Sequence, residues 1–228
     1  MQGVLADVVN SLGRGAVVTV EVTLLAAVLA LTVAFVVGLC RLSRNPLVRG
    51  VAAVYVEVMR GVSALVVMFW MYFALPLLGI QLTALEAGVL GLGLTYGAYA
   101  AEVLRGAVLH VPRSQWEGAL ALNMTPAQRM VRVILPQAAV AMLPPMGNLL
   151  VDLLKATSLV SLITLADVTF QARVLQNSIG RPTEIFLAVL AMYFVMNYAL
   201  TLGLRRLEAR FSRGLDIGRG AQVRVTVT

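Results

Sequence analysis

The sequence is poor in charge and in the residues that build disulfides and metal sites. Charged residues make up 13% of its 228 residues, whereas an ordinary soluble domain has about 25%. There is one cysteine, Cys40, and one histidine, His110. An intramolecular disulfide is therefore impossible, and a metal site built from a cluster of cysteines and histidines is excluded. The phosphate-binding pattern G-x-x-x-x-G-K-[ST] is also absent, so the sequence predicts no ATP site on this chain.

Apolar residues, in contrast, are in excess. They make up 60% of the chain, against about 45–50% in an average soluble protein. This composition argues against a soluble globular enzyme, and also against a disordered chain, which needs low hydrophobicity and high charge. Lipid is the solvent that such a composition fits.

Five apolar runs are long enough to cross a bilayer, which takes about 20 residues of helix. We therefore predict an all-α membrane protein with about five transmembrane helices. The predicted spans are residues 15–39, 51–78, 84–104, 135–154 and 184–204. They form a transmembrane domain over residues 15–207, between an extracytoplasmic segment at residues 1–14 and a cytoplasmic tail at residues 208–228. The four glycines of the third run are expected to allow close helix packing. The Pro144-Pro145 pair is expected to disturb the fourth helix.

The placement of the arginines predicts the orientation. Of the 18 basic residues, 13 lie in the turn after the first span, in the polar stretch around residues 105–133 and in the tail. An odd number of spans places these three segments on one side of the membrane. The positive-inside rule then puts them in the cytoplasm and the N-terminus outside. Nucleic-acid binding is not predicted from the net charge of +7, because the charges lie between apolar runs and form no basic face.

The polar stretch contains two patterns typical of a helix start. Ser114 and Glu117 have the spacing of a capping box, and so have Thr125 and Gln128. We therefore predict a short helix over residues 114–122, then a break, then a helix that leads into the membrane. Trp116, Leu120 and Met124 would form one apolar face. Such a face fits docking into a groove of a partner, and it fits packing on the chain's own bundle equally well.

The same stretch resembles the EAA loop of ABC-importer permeases of the MetI-like type. The matching residues are Glu117-Gly118-Ala119, Asn123 six residues after the glutamate, and Val133-Ile134-Leu135-Pro136-Gln137. Over residues 15–207 the chain is similar to the polar amino-acid branch of these permeases. The further matching segments are residues 41–46, 55–61, 97–107, 111–117, 143–148 and 154–161. The stretch over residues 121–130 is similar to the ectoine and hydroxyectoine importers of that branch.

The chain departs from the family pattern at a few positions. Gly118 stands where the family usually has alanine, and Asn123 stands where it has glycine. Asparagine tolerates a left-handed backbone, so the break between the two helices is expected to survive. Val62-Ser63 replaces the usual Thr-Pro, and Ala156 replaces a frequent acidic residue. The last two departures lie near the expected path of the solute and leave the substrate open.

The resemblance implies a permease subunit of a binding-protein-dependent importer in the cytoplasmic (inner) membrane. The chain itself would be neither an enzyme nor the holder of a cofactor, since partner ATPase subunits would bind ATP and Mg²⁺. The other implied partners are a second permease chain, identical or homologous, an extracytoplasmic solute-binding protein and a small polar solute. A helix of this chain would enter a groove of the ATPase, with Glu117 as an anchor, partly through its capping role. The residues implied in this coupling are Ser114, Trp116, Glu117, Gly118, Ala119 and Asn123.

Three acid–base pairs with i, i+3 spacing lie within or beside the spans. They are Glu57/Arg60, Glu102/Arg105 and Asp152/Lys155. Charges at membrane depth are costly, face the bundle interior or a cavity, and are candidates for function. Glu102/Arg105 fits a solvated or bracing pair at the end of its span. For the other two pairs, bracing and a place on the solute path remain equal alternatives. The candidates for the solute path are Glu57, Arg60, Asp152, Lys155, Thr157 and Ser158.

Two other functions remain open at this stage. One is a channel or secondary carrier that works without ATP, which would have no need of the capped cytoplasmic helix. The other is a membrane scaffold without a pathway, which would leave the charge pairs in the spans unexplained.

Overall fold

The computed structural model describes residues 2–212, with the side chains of residues 8–210. This part of the chain is helical and contains no strand. The helices are α1 (Gln2–Arg41), α2 (Pro46–Gly61), α3 (Ala64–Phe69), α4 (Ala84–His110), α5 (Arg113–Ala121), α6 (Pro126–Arg129), α7 (Leu135–Ala156), α8 (Val168–Ile179) and α9 (Pro182–Ser212). α3 continues through a π-helical turn and a 3-10 helix to Leu78, and a second π-helical turn, Met130–Ile134, joins α6 to α7. A 3-10 helix, Thr157–Ile163, follows α7.

Four of these segments are long and apolar enough to cross a membrane. They are Val8–Arg41, Ala84–His110, Pro126–Ile163 and Pro182–Arg210. A fifth crossing is present if α2 and the α3 segment count as one span. The prediction of an all-α membrane protein with about five transmembrane helices is therefore confirmed.

The second predicted span differs most from expectation. We predicted one continuous helix over residues 51–78, but the chain bends by 100° between α2 and α3. Val62 and Ser63 both have extended backbone angles, and Val62 ends α2. The sequence analysis treated residues 51–78 as one run because apolar residues lie on both sides of the bend.

The structure gives further detail of the helices and of where they begin and end. The Pro144-Pro145 pair does not interrupt α7, which continues through both prolines. The 3-10 helix Thr157–Ile163 and α8 follow α7, and several of their side chains are fully buried. Residues 2–14, predicted as a segment before the first span, belong to α1. Residues 208–212 of the predicted tail belong to α9, and the rest of that tail lies outside the described residues.

The core forms three clusters along the bundle. The first lies at the end where α1 and α9 begin and contains Leu12, Val168 and Ile185. The middle cluster joins α1, α3, α4 and α7 around Val22 and Met68. The third lies where α4 ends, and Trp116 of α5 packs against it. We call the two ends of the bundle the α8 end and the α5 end.

Glycine allows the closest contact of the bundle, between α1 and α4. A Cβ atom placed on Gly97 would lie 2.7 Å from the Cβ of Val33, and one placed on Gly93 would lie 2.6 Å from Leu29. The two helices could not approach as closely with larger residues at these positions. The expectation that the glycines of this run serve packing agrees with these contacts.

Candidate functional site

A cavity with charged residues in its wall lies beside the centre of α4. It has a volume of about 650 Å³ and is bordered by the bend between α2 and α3, the centre of α4 and the last turns of α7. Of the predicted path residues, Arg60, Asp152, Lys155 and Ser158 line it. The sequence analysis placed Arg60 in the second span and Asp152, Lys155 and Ser158 at or just after the end of the fourth, and the fold brings them to one cavity.

The cavity wall carries charges of both signs. Lys155 Nζ lies 3.3 Å from Asp152 Oδ1, and both side chains are 58% exposed. The guanidinium of Arg60 lies over the ring of Tyr99, 5.5 Å from its centre. The wall therefore presents two cations and one anion, and the exposed Asp152–Lys155 pair is free to exchange partners with a charged ligand.

Two of the predicted path residues are not in the cavity wall. Glu57 is exposed on α2 and forms no ion pair with Arg60, whose guanidinium turns to Tyr99 instead. Thr157 is fully buried and donates a hydrogen bond of 2.6 Å to the carbonyl oxygen of Leu154. The prediction of a Glu57/Arg60 ion pair is thus wrong. The Glu102/Arg105 and Asp152/Lys155 ion pairs form as predicted.

The hydroxyl groups of α4 were missed by the sequence analysis. Tyr96 donates a hydrogen bond to the carbonyl oxygen of Asp152 (3.1 Å), and Tyr99 donates one to that of Arg60 (3.3 Å). Thr95 also borders the cavity, and its hydroxyl is buried without a hydrogen-bond partner among the described residues. The available signal was three hydroxyl-bearing residues within five positions of a run otherwise made of glycine, alanine and leucine.

The start of α5 differs from the predicted capping box. The helix begins at Arg113 with Pro112 at the N-cap, and no side chain caps it. Ser114 therefore lies inside the first turn, where its hydroxyl cannot serve as the cap. The carbonyl oxygen of Pro112 accepts from the backbone N–H of Gln115 instead, at 3.0 Å. Glu117 consequently has no capping role, and its side chain is exposed.

The two faces of α5 also differ from the prediction. Trp116 and Ala119 turn inward, with the guanidinium of Arg129 5.7 Å from the centre of the indole. Leu120 points outward and is 60% exposed, so the predicted common face of Trp116 and Leu120 does not exist. The exposed face holds Ser114, Glu117, Gly118, Leu120 and Ala121. One side of α5 thus fixes it to the bundle, and the other side is available for a partner.

The break after α5 follows the prediction closely. Asn123 has a left-handed backbone with φ of 53°. The N–H of Met124 reaches back to the carbonyl oxygen of Ala119 at 3.2 Å, which closes the helix end in the manner of a Schellman motif. Thr125 and Gln128 then form both bonds of the predicted capping box, at 3.0 and 3.3 Å.

Comparison with protein families decides the identity of the chain. The family model described as "Binding-protein-dependent transport system inner membrane component" matches residues 26–213. The chain belongs to this family. It is therefore a multi-pass permease of the inner membrane.

Several curated relatives of the permease align over most of its length. The probable amino-acid ABC transporter permease protein y4tF of Sinorhizobium fredii is 44% identical, over 91% of this chain and 90% of the relative. The L-cystine transport system permease protein TcyB of Bacillus subtilis is 31% identical, over 89% and 87%. The glutamine transport system permease protein GlnP of Escherichia coli is 34% identical, over 86% and 91%.

Solved structures share the fold of the permease. A crystal structure of an amino acid ABC transporter with histidines has 34% identity and a TM-score of 0.83, and the match covers 92% of this chain and 97% of that one. The MetNI methionine ABC transporter, in inward-facing conformations, has a TM-score of 0.74 at 18% identity, with 88% and 95% covered. The second likeness concerns the fold alone.

In the permease, a buried carboxylate orders the α8 end of the bundle. Asp167 caps α8 by accepting from the N–H of Phe170 (2.8 Å), and its other oxygen accepts from the hydroxyl of Tyr193 on α9 (3.2 Å). Burial raises the pKa of Asp167, and these hydrogen bonds oppose the rise. The described residues contain no cluster of three metal-ligating side chains.

Proposed function

We propose that the permease carries a polar amino acid, or a similar zwitterionic solute such as ectoine or hydroxyectoine, across the inner membrane. The transport is import, and it is driven by ATP hydrolysis on a partner subunit. The observation that carries this proposal is the cavity beside the centre of α4 with both signs of charge in its wall. The names of the three relatives support an amino acid as the solute.

The chemistry of the cavity fits a zwitterion. The carboxylate of Asp152 can pair with the ammonium group of a solute, and the guanidinium of Arg60 can pair with its carboxylate. The side chains of Tyr96 and Tyr99 in the cavity wall supply contacts for the apolar part of a small ligand. The cavity lies beside the centre of α4, which is one of the helices long and apolar enough to cross the membrane.

The coupling to ATP is proposed to run through α5. Beyond its first residue, its exposed face carries one charge, Glu117, among small and apolar residues, which suits a short helix in a groove of the ATPase. Trp116 and Ala119 hold the other face against the core at the end of α4. A movement of the ATPase groove would therefore reach α4, and through α4 the cavity. Gly118 and Asn123 shape the outer surface and the end of this helix.

The remaining partners follow from the family. A second permease chain, identical or homologous, completes the pathway, and an extracytoplasmic solute-binding protein delivers the solute to the α8 end. The α5 end faces the cytoplasm, in agreement with the bias of arginines. ATP and Mg²⁺ belong to the partner ATPase, and this chain takes part in no chemical step.

The test is uptake by the complete transporter in liposomes. The tagged permease is purified with its partners, reconstituted, and offered each radiolabelled amino acid, ectoine and hydroxyectoine, with and without ATP inside. We expect one solute or a small group to accumulate only with ATP. Accumulation that is independent of ATP would overturn the proposal in favour of a channel or secondary carrier. No flux of any of these solutes would also overturn it.

A matched pair of variants connects uptake with the cavity. Asp152→Asn removes the anion of the Asp152–Lys155 pair, and Glu184→Gln removes the anion of the exposed Arg181–Glu184 pair, which has the same spacing. We expect the first variant to raise the KM for uptake roughly ten-fold or more, as for the loss of one charge-assisted hydrogen bond. The second is expected to transport normally. Equal effects of both variants would exclude Asp152 from the solute path.

A further inference from the structure

A cluster of two arginines around one carboxylate, Arg41, Arg105 and Glu102, lies between the cavity and the α5 end. Glu102 of α4 accepts a hydrogen bond of 2.9 Å from Arg105 Nε, and its second oxygen lies 3.4 Å from Arg41 at the end of α1. The cluster therefore has more positive than negative charge.

Two buried atoms of this cluster, Arg41 Nη1 and Glu102 Oε2, have no hydrogen-bond partner among the described residues. The Nη1 atom of Arg41 is buried and makes no hydrogen bond among the described residues, and the side chain of Arg41 is only 13% exposed. A buried guanidinium with an unsatisfied donor is costly. A second carboxylate would satisfy this donor and balance the excess charge.

The cluster lies on the same face of α4 as the cavity. Thr95, Tyr99 and Glu102 have the spacing i, i+4 and i+7, which places them along one side of a helix. Thr95 and Tyr99 line the cavity, and Glu102 follows Tyr99 by about 4.5 Å along the helix axis. Gly106 continues this face, and the space where its side chain would be is open. A polar stripe thus leads from the cavity toward the α5 end.

We propose that the Arg41–Glu102–Arg105 cluster is a second binding site, for the carboxylate of a solute that leaves the cavity toward the α5 end. The carboxylate would displace Glu102 from Arg105 by exchange of ion pairs, with no covalent change. Arginine presents a planar pair of donors that suits this recognition. Glu102 would then compete for the same donors and allow release. The inference rests on the proposed function for the direction of travel.

Bracing alone does not account for the cluster. α1 and α4 already touch closely beside it, because a Cβ atom placed on Gly38 would lie 3.0 Å from Leu104 and 3.1 Å from the carbonyl oxygen of Ala101. A brace needs one cation for one carboxylate, and Arg105 supplies it. A purely structural ion pair would not respond to a small carboxylate in solution. A binding test with such a carboxylate therefore distinguishes a structural pair from a binding site.

The test measures protection of Arg105 from phenylglyoxal, a reagent for arginine, in the purified transporter in lipid nanodiscs. The probes are acetate and acetamide, which have similar size and differ in charge. Modification is followed by mass spectrometry of the peptides, with Arg181 as the control, since it pairs with Glu184 at the same spacing. We expect acetate to protect Arg105 at a concentration about ten-fold lower than acetamide, because its hydrogen bonds are charge-assisted. Equal protection by both probes, or equal protection of Arg181 by acetate, would overturn the proposal.

Variants of Glu102 test the competition. Glu102→Gln removes the internal carboxylate and should lower the half-protecting concentration of acetate several-fold. Glu102→Asp keeps the charge on a shorter side chain and should give a smaller shift in the same direction, which keeps the test available if the first variant does not fold. An unchanged half-protecting concentration of acetate in both variants would contradict the proposal that Glu102 competes with acetate for the arginine donors. Protection is measured without transport, so a failure of amino-acid uptake and a failure of this site are distinguishable.

Discussion

At the scale of single residues, Asp167 is a buried carboxylate without a cation. It has no exposed surface and forms no ion pair among the described residues. Its partners are the N–H of Phe170 and the hydroxyl of Tyr193. Burial is the largest effect on its pKa and raises it above the usual 3.8. A raised pKa in the folded state means that the folded protein binds the proton more tightly than the unfolded chain does.

This shift predicts a pH dependence of stability with a defined sign. The stabilisation from the protonated form is complete below pH 3.8 and is lost as the pH rises through the raised pKa. Asp167→Asn keeps an N-cap residue without the charge. We therefore expect the melting temperature of the variant, relative to the original permease, to rise between acidic and neutral pH. Thermal unfolding in nanodiscs at a series of pH values measures this difference, and a difference that is constant with pH would contradict the role of the charge.

At the scale of helices, the contact between α1 and the start of α8 leaves no room for a side chain. A Cβ atom on Gly15 would lie 2.8 Å from the carbonyl oxygen of Asp167 and from the backbone of Val168. Backbone atoms cannot move aside as the end of a flexible side chain can. Gly13, two residues earlier on the same helix, has nothing within 4 Å.

The two glycines therefore predict opposite outcomes for the same substitution. We expect Gly15→Ala to destabilise the permease by about 1–3 kcal/mol, the usual cost of an overpacked core, and Gly13→Ala to be neutral or slightly stabilising. The measurement is the thermal unfolding of both variants in nanodiscs. Equal melting temperatures would show that α8 can move away from α1 at little cost.

The outer face of α5 predicts an effect on partner binding. Glu117→Arg reverses the only charge of the exposed face of α5 beyond its first residue. We expect uptake to fall to background, because the variant no longer retains the ATPase subunit, while the permease still inserts into the membrane. The readout is the amount of ATPase that copurifies with the tagged permease.

Glu184→Arg is the matched control for that experiment. Glu184 is also an exposed glutamate, but it lies at the α8 end of the bundle. We expect the Glu184→Arg variant to copurify with as much ATPase as the original permease does. If Glu117→Arg kept both the ATPase and normal uptake, α5 would have no part in coupling.

At the scale of the whole molecule, sequence patterns predicted where the helices lie in the chain but not how they are arranged around the cavity. Hydropathy located the spans because lipid demands about 20 apolar residues in succession. The capping box at Thr125 and the break at Asn123 were predictable because their hydrogen bonds are local. The bend at Val62–Ser63 was not, since apolar runs on both sides conceal it. The pairing of Arg60 with Tyr99 was also hidden, because these residues are distant in the sequence and a nearer carboxylate, Glu57, offered an alternative.

The orientation of the whole molecule is the remaining prediction. The bias of arginines places the α5 end in the cytoplasm and the α8 end outside. Single cysteines can test this in a variant in which Cys40, the only cysteine of the chain, is replaced by alanine. Leu122→Cys lies just after α5, and Asn177→Cys lies on α8, and both positions are exposed. In intact spheroplasts we expect a membrane-impermeant maleimide to label position 177 and not position 122. Opened membranes provide the control, because both positions should then react. Labelling of position 122 in intact spheroplasts would reverse the orientation, and α5 could not then meet an ATPase that works in the cytoplasm.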